Sequence, residues 1–158
     1  MKTKFLCALA GSMSLICIQA GAQESGPQIG RLDLDKNLAI EYRVIPFDKK
    51  VYKASGGRIG PVFGTDGGVP VTQFEGLTLI QGKRRIPLDI SSMYDPSFGQ
   101  IERRQFRVQQ VNARRLILTG TFSDGAGSYV AEWLVVDGAS VRTLLSNDPS
   151  TVRDKLLR

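Results

Sequence analysis

From residue 29 to residue 145, apolar and polar side chains alternate in short runs, and most runs stop at a turn signal. A period of two is the mark of half-buried strands joined by hairpins, and no other feature of the chain constrains its fold as much. Leu32 and Leu34 alternate with charges, Asp35-Lys36-Asn37 is turn-like, and Leu38, Ile40, Tyr42 and Val44 alternate again. Residues 29–34 and 38–45 are therefore expected to form a first hairpin, closed by Pro46-Phe47-Asp48. The clearest hairpin follows. Leu77 to Gln81 and Arg84 to Ile90 flank Gly82-Lys83, a two-residue Gly-X loop of the II′ kind. That loop sets Leu79 against Ile86 and Leu77 against Leu88, so the four share one face. Pro87 has no N–H to donate, which expects a free edge on its strand.

Two more strands carry Phe106, Val108 and Gln110, then Leu116, Leu118 and Phe122. A three-residue loop, Asn112-Ala113-Arg114, would pair Val108 with Leu118 and lay Phe106 across from Gly120, with aromatic cover over the glycine. Tyr129 to Val136 is apolar on both faces around Trp133 and is expected to be central. Asp137-Gly138 turns the chain, and Val141 to Leu145 pairs back. Asp148-Pro149 supplies an N-cap and a first helical residue, and Val152 and Leu156 follow at i and i+4, so a short C-terminal helix is expected. The expected fold is all-β: an antiparallel meander forming a small β-sandwich or barrel, closed by that helix. An outer-membrane barrel would need an apolar lipid-facing band, whereas the faces opposite the apolar positions carry Arg85, Asp89, Arg103, Arg107 and Gln109.

The first 22 residues are expected to be a cleaved signal peptide. Lys2 and Lys4 precede an apolar run from Phe5 to Ile18, and Ala20-Gly21-Ala22 offers small residues for cleavage before Gln23. The run is 14 residues, short of the roughly 20 that span a bilayer. Residues 23–158 are then one β domain, periplasmic or secreted, with no transmembrane segment. Removing Lys2 and Lys4 lowers the 21 basic residues to 19 against 15 acids, so the remainder is mildly basic at +4. Cys7 and Cys17 both lie in the leader, so no disulfide is available to the domain.

The chain has no histidine at all. Serine and cysteine hydrolases normally relay a proton through imidazole. Zinc and copper sites draw on His or Cys, as do haem and iron–sulfur centres. The glycine-rich stretch 56–68 lacks the Gly-Lys-Ser/Thr of a phosphate-cradling loop. No cofactor and no metal site is expected. Asp33-Leu34-Asp35-Lys36-Asn37 opens like a calcium loop, but Leu38 stands where the turn needs glycine and Val44 where it needs glutamate. It is expected to be a charged hairpin turn.

Carboxylates alone can hydrolyse glycosides, and Asp66, Asp95 and Asp124 sit in loops, though each also suits a turn because it precedes Gly or Pro. Basic doublets recur at Arg84-Arg85, Arg103-Arg104 and Arg114-Arg115. Arg85, Arg103 and Arg107 would line one patch if their hairpins lay side by side, or else protect strand edges. With so small a net charge, no nucleic-acid partner is expected. Loop 55–70, with six glycines and two prolines, is the leading contact surface, together with the neighbouring loop 91–99. The candidate binding residues are Arg58, Asp66, Tyr94, Phe98, Arg103 and Arg107. The expected role is that of an exported, non-enzymatic binding module in surface contact with a protein or anionic partner, as an inhibitor, immunity-type protein or accessory subunit. Another periplasmic or extracellular protein is the expected partner. The alternatives are a small-ligand carrier with a barrel cavity and a carboxylate-only hydrolase.

Overall fold

The computed structural model describes residues 26–57, 60–97 and 99–157. The segment 1–22, Arg58 and Phe98 lie outside the described residues. Four strands, β1 (Gln28–Asp35), β2 (Leu38–Pro46), β3 (Thr72–Gln81) and β4 (Arg84–Pro87), form one sheet in that order. Four more, β5 (Phe106–Asn112), β6 (Arg115–Phe122), β7 (Tyr129–Val136) and β8 (Ala139–Ser146), form the second. Every pairing is antiparallel between chain neighbours, so the fold is a meander. Among the described strands no ladder joins one sheet to the other, which makes the architecture a sandwich and not a closed barrel. No helix among the described residues is long and apolar enough to cross a membrane.

Turn chemistry sets the register. Gly82 takes φ +59 in the two-residue loop, and Leu79 pairs with Ile86 as the loop demands. Leu88 lies just past β4, yet its N–H still donates to Leu77 O at 2.9 Å. β4 stops at Pro87 and lies at the sheet edge, where a missing N–H is tolerated. Phe106 pairs with Gly120 and Val108 with Leu118. The ring that occupies the space above Gly120 is, however, that of Phe122, two residues on; its Cζ lies 2.5 Å from where a Cβ would stand. Tyr42 covers Gly30 in the same way. In both cases an aromatic side chain replaces the packing that a glycine cannot supply.

The inner faces meet in one core. Ile40, Leu77, Leu79 and Ile86 from the first sheet face Phe106, Leu118, Phe122, Tyr129 and Trp133 from the second. Phe122 stacks edge-on against Phe74 across the sandwich at 5.5 Å and against Phe106 at 5.6 Å. Such pairs add roughly 1 kcal/mol each beyond their burial. Trp133, fully buried, donates its Nε1–H to Asp89 O at 2.9 Å and so ties the second sheet to the first.

Arginines close the two seams that no ladder bridges. Arg103 donates to Phe106 O at 3.0 Å and to Leu34 O at 3.1 Å, joining β5 to β1. Arg142 in β8 donates to Ser91 O at 2.7 Å and pairs with Asp89 at 3.2 Å, beyond the end of β4.

Helix α1 (Lys49–Ala54) was not foreshadowed by the alternation pattern. Asp48 accepts from the Lys50 N–H at 2.8 Å at its start, and Gly56, at φ +66, and Gly57 close its end through bonds to Lys53 O and Tyr52 O. Helix α2 (Pro149–Leu157) forms where expected. Asp148 Oδ1 accepts from the Thr151 N–H at 2.9 Å and the Thr151 hydroxyl at 3.0 Å. The Ser150 and Thr151 bonds hold the Asp148 carboxyl below its usual value of 3.8. Val152 is buried against the outer face of the second sheet, and Lys155 pairs with Glu132 of β7.

Candidate functional site

Short tight turns lie at one end of the sandwich, and the long connections gather at the other. Residues 61–71, 88–102 and 123–128 are bound together there. Phe63 N–H donates to Ser92 O at 3.1 Å, and Tyr94 N–H returns to Phe63 O at 2.9 Å. Ser123 N–H donates to Pro96 O at 3.1 Å, and its hydroxyl to Gly64 O at 3.0 Å. Asp95, 8% exposed, is the anchor: Oδ1 accepts from the N–H groups of Val71 at 2.9 Å and Thr72 at 2.7 Å and from the Thr72 hydroxyl at 3.1 Å. Ser92, Asp95 and Ser123 take φ of +67, +40 and +60, a region that non-glycine residues seldom occupy. Such strain persists only where the surroundings enforce it.

Below these loops lies Tyr129, fully buried, whose hydroxyl has no hydrogen-bond partner among the described residues. Burial, with the Asp95 carboxylate nearby, pushes its ionisation well above 10. The phenol therefore stays neutral.

Beside the anchored loops is an open groove of about 490 Å³ lined by Glu102, Arg104, Gln105, Ser123, Asp124, Ser128 and Leu156. A second concavity of about 290 Å³ shares Gly125, Ser128 and Leu156 and runs on to Asn147 and Arg153. Gln105 sets the floor. Its Nε2 donates to Pro96 O at 3.1 Å and Thr121 O at 3.2 Å, while its Oε1 accepts from Glu102 N–H at 2.7 Å. Arg104 pairs with Glu102 at 2.5 Å on the rim, and Leu156, 47% exposed, supplies an apolar contact. The groove thus presents both signs of charge, hydroxyls and one aliphatic side chain on a fixed backbone.

The expected contact loops are neighbours, joined by the Phe63–Met93 bridge. Asp66 is exposed in the first. Tyr94 is half-buried and stands edge-on to Phe47 at 5.5 Å, which ties it to the end of β2. Arg103 is committed to the seam. Arg107 donates to Lys155 O and Leu156 O, the free carbonyls at the end of α2. Arg85 belongs to the first sheet and pairs with Glu41 at 2.6 Å, so Arg85, Arg103 and Arg107 do not share a face. The Arg85 hydrogen bond, helped by Arg31, lowers the Glu41 carboxyl despite some desolvation. Burial acts to raise Asp89, but the Ser91 hydroxyl and N–H and Arg142 outweigh it and leave that carboxyl lowered.

Of the three loop aspartates, Asp124 reaches the groove, Asp95 is held by backbone, and Asp66 lines neither concavity. Glu102, Arg104 and Leu156 carry no distinctive sequence signal. Only the second arginine of the Arg103-Arg104 doublet hinted at them. Among the described residues no three carboxylates gather into a metal-ligand set. No family model matches the chain, and comparison with curated proteins and with solved structures finds no relative.

Proposed function

We propose that this protein is an exported, non-enzymatic binding module that engages a protein partner through the loop end of its sandwich. The observation that carries this is the groove on a pre-set backbone. Its walls are fixed by the Gln105 and Ser123 bonds, and its rim carries Glu102, Arg104 and Asp124 around Leu156. A surface already held in one shape loses little entropy on binding. Mixed charge around an apolar contact is the usual make-up of a protein-recognition patch. Support for contact over carriage comes from the interior, where Phe106, Phe122, Tyr129 and Trp133 are fully buried and fill the space between the sheets. Support for contact over catalysis comes from Asp95, whose Oδ1 is held by the Val71 and Thr72 N–H groups and the Thr72 hydroxyl.

The test is capture of envelope proteins on the immobilised protein, with Arg104→Glu and Asp124→Lys as groove variants and Lys50→Glu on α1 as control. One partner that the native protein and the control retain and both groove variants lose is the expected result. Retention by all four overturns the groove. Turnover of a glycoside that Asp124→Asn abolishes would replace binding by hydrolysis.

A further inference from the structure

We infer that the opposite end of the sandwich, where the four tight hairpin turns meet, is a docking surface for an anionic lipid membrane. The turns are residues 35–37, 82–84, 112–115 and 137–138, and each touches the next. Gly82 N–H donates to Asn37 O at 2.9 Å. The Arg84 side chain lies over Gly138, its Nη1 3.3 Å from where a Cβ would stand. Asp137 N–H donates to Arg114 O at 3.0 Å. The result is one continuous rim.

Its charge is lopsided. Those twelve residues hold five basic side chains, Lys36, Lys83, Arg84, Arg114 and Arg115, and two acids, Asp35 and Asp137. Asp137 is engaged by Arg114 through two bonds of 2.6 and 2.7 Å, and Asp35 accepts from the Lys36 N–H at 2.7 Å. Among the described residues no acid lies within ion-pair distance of Lys36, Lys83, Arg84 or Arg115, and all four are exposed. The rim therefore carries +3, most of the +4 left once Lys2 and Lys4 are set aside. Val111, 46% exposed, stands beside the third turn as an apolar side chain able to enter a headgroup layer.

A plane of lipid phosphates fits this arrangement better than an acidic protein does. The cations sit on three of the four turn tips, at the ends of flexible stems. A diffuse anionic plane meets them all at once without placing an acid opposite each. Each basic side chain near such a surface strengthens binding by about fivefold, so four together give roughly 600-fold, lost as salt rises. This surface lies across the length of the strands from the groove, so its failure and the groove's are separate events.

The test is sedimentation of the full chain with vesicles of phosphatidylcholine alone and with added phosphatidylglycerol. The anionic-to-neutral binding ratio is the readout, so any apolar affinity of the N-terminal segment cancels. Native protein is expected to prefer the anionic vesicles at low salt. Lys36→Gln/Lys83→Gln/Arg84→Gln/Arg115→Gln is expected to lower that ratio by about a hundredfold or more. Lys36→Gln/Lys83→Gln leaves Arg84 over Gly138, guards against a folding defect, and is expected to lower it about 25-fold. Lys49→Gln/Lys50→Gln/Lys53→Gln on α1 removes a similar charge elsewhere and is expected to change it less than about threefold. Equal binding to both vesicle types, an equal loss in the α1 variant, or tighter binding to soluble polyglutamate than to vesicles would overturn the inference.

Discussion

Gly64 and Gly67 occupy the same loop, and both take positive φ, +108 and +72. Replacing either by alanine forces a Cβ into a conformation that costs about 1–2 kcal/mol. The two differ in space. A Cβ on Gly67 meets nothing within 4 Å, whereas one on Gly64 would lie 1.9 Å from Tyr94 O. Ordinary contact there begins at 3.4 Å, and the obstacle is backbone. The loop must move away and strain the Phe63–Ser92 and Tyr94–Phe63 hydrogen bonds, each worth about 1 kcal/mol net. Gly64→Ala should therefore destabilise by about 3–4 kcal/mol and Gly67→Ala by about 1–2 kcal/mol. For a domain of this size the gap of about 2 kcal/mol is roughly 8 °C in Tm. Urea titration with thermal melts of both variants measures it. Equal shifts would refute the claim that the Gly64–Tyr94 approach, and not backbone strain alone, locks the loop that carries Asp66. Gly64→Ala should also weaken capture of any groove partner, since Ser123 holds Gly64 O.

Three further changes address the interior, one seam and the open rim. Tyr129→Phe removes a buried hydroxyl that has no partner among the described residues, so stability should hold or rise by up to about 1 kcal/mol; a loss above about 2 kcal/mol would show an unrecognised bond. The folded phenol keeps its proton above pH 10 while the unfolded one releases it near 10, so native stability falls as pH rises through 10. Denaturant titrations across that range should show a shallower fall in Tyr129→Phe. Arg142, its side chain 15% exposed, bonds Ser91 O and Asp89 across the seam; Arg142→Met should cost about 2–3 kcal/mol, and Arg115→Met on the open rim less than about 0.5 kcal/mol, by urea titration.

The strands were legible because turn residues and alternation specify the same register twice over. Gly82-Lys83 and the four apolar residues around it agree, and so do Phe106, Val108, Gly120 and Leu118. The C-terminal helix was legible because Asp148 and Pro149 carry capping chemistry on adjacent residues. Helix α1 was not, because six residues hold too little periodicity to register. The choice of sandwich over barrel was not legible either. It depends on whether β1 and β4 bond to β5 and β8, and no local pattern encodes that. Glu102 and Arg104 are far in sequence from Asp124 and from Leu156 of α2, and the four meet only through tertiary packing.

The arginine doublets show why charge counted along the chain misplaces function. The two members of each doublet part ways: Arg84 and Arg85 as strand neighbours in β4, Arg103 and Arg104 in a single 3-10 turn before β5, and Arg114 and Arg115 where the hairpin turn passes into β6. Arg85 turns to Glu41 on the outer face of the first sheet, while Arg84 lies over Gly138 at the rim. Arg103 crosses the seam to Leu34, while Arg104 meets Glu102 at the groove. Arg114 is held by Asp137, and Arg115 is left to solvent. One member of each pair thus has its charge engaged within the fold. The other, Arg84, Arg104 or Arg115, stands at one of the two ends of the sandwich. A basic composition spread over such a chain is therefore mostly structural, and the interaction surfaces are found by asking which guanidinium groups the fold leaves without a buried carbonyl or a carboxylate of the sheets.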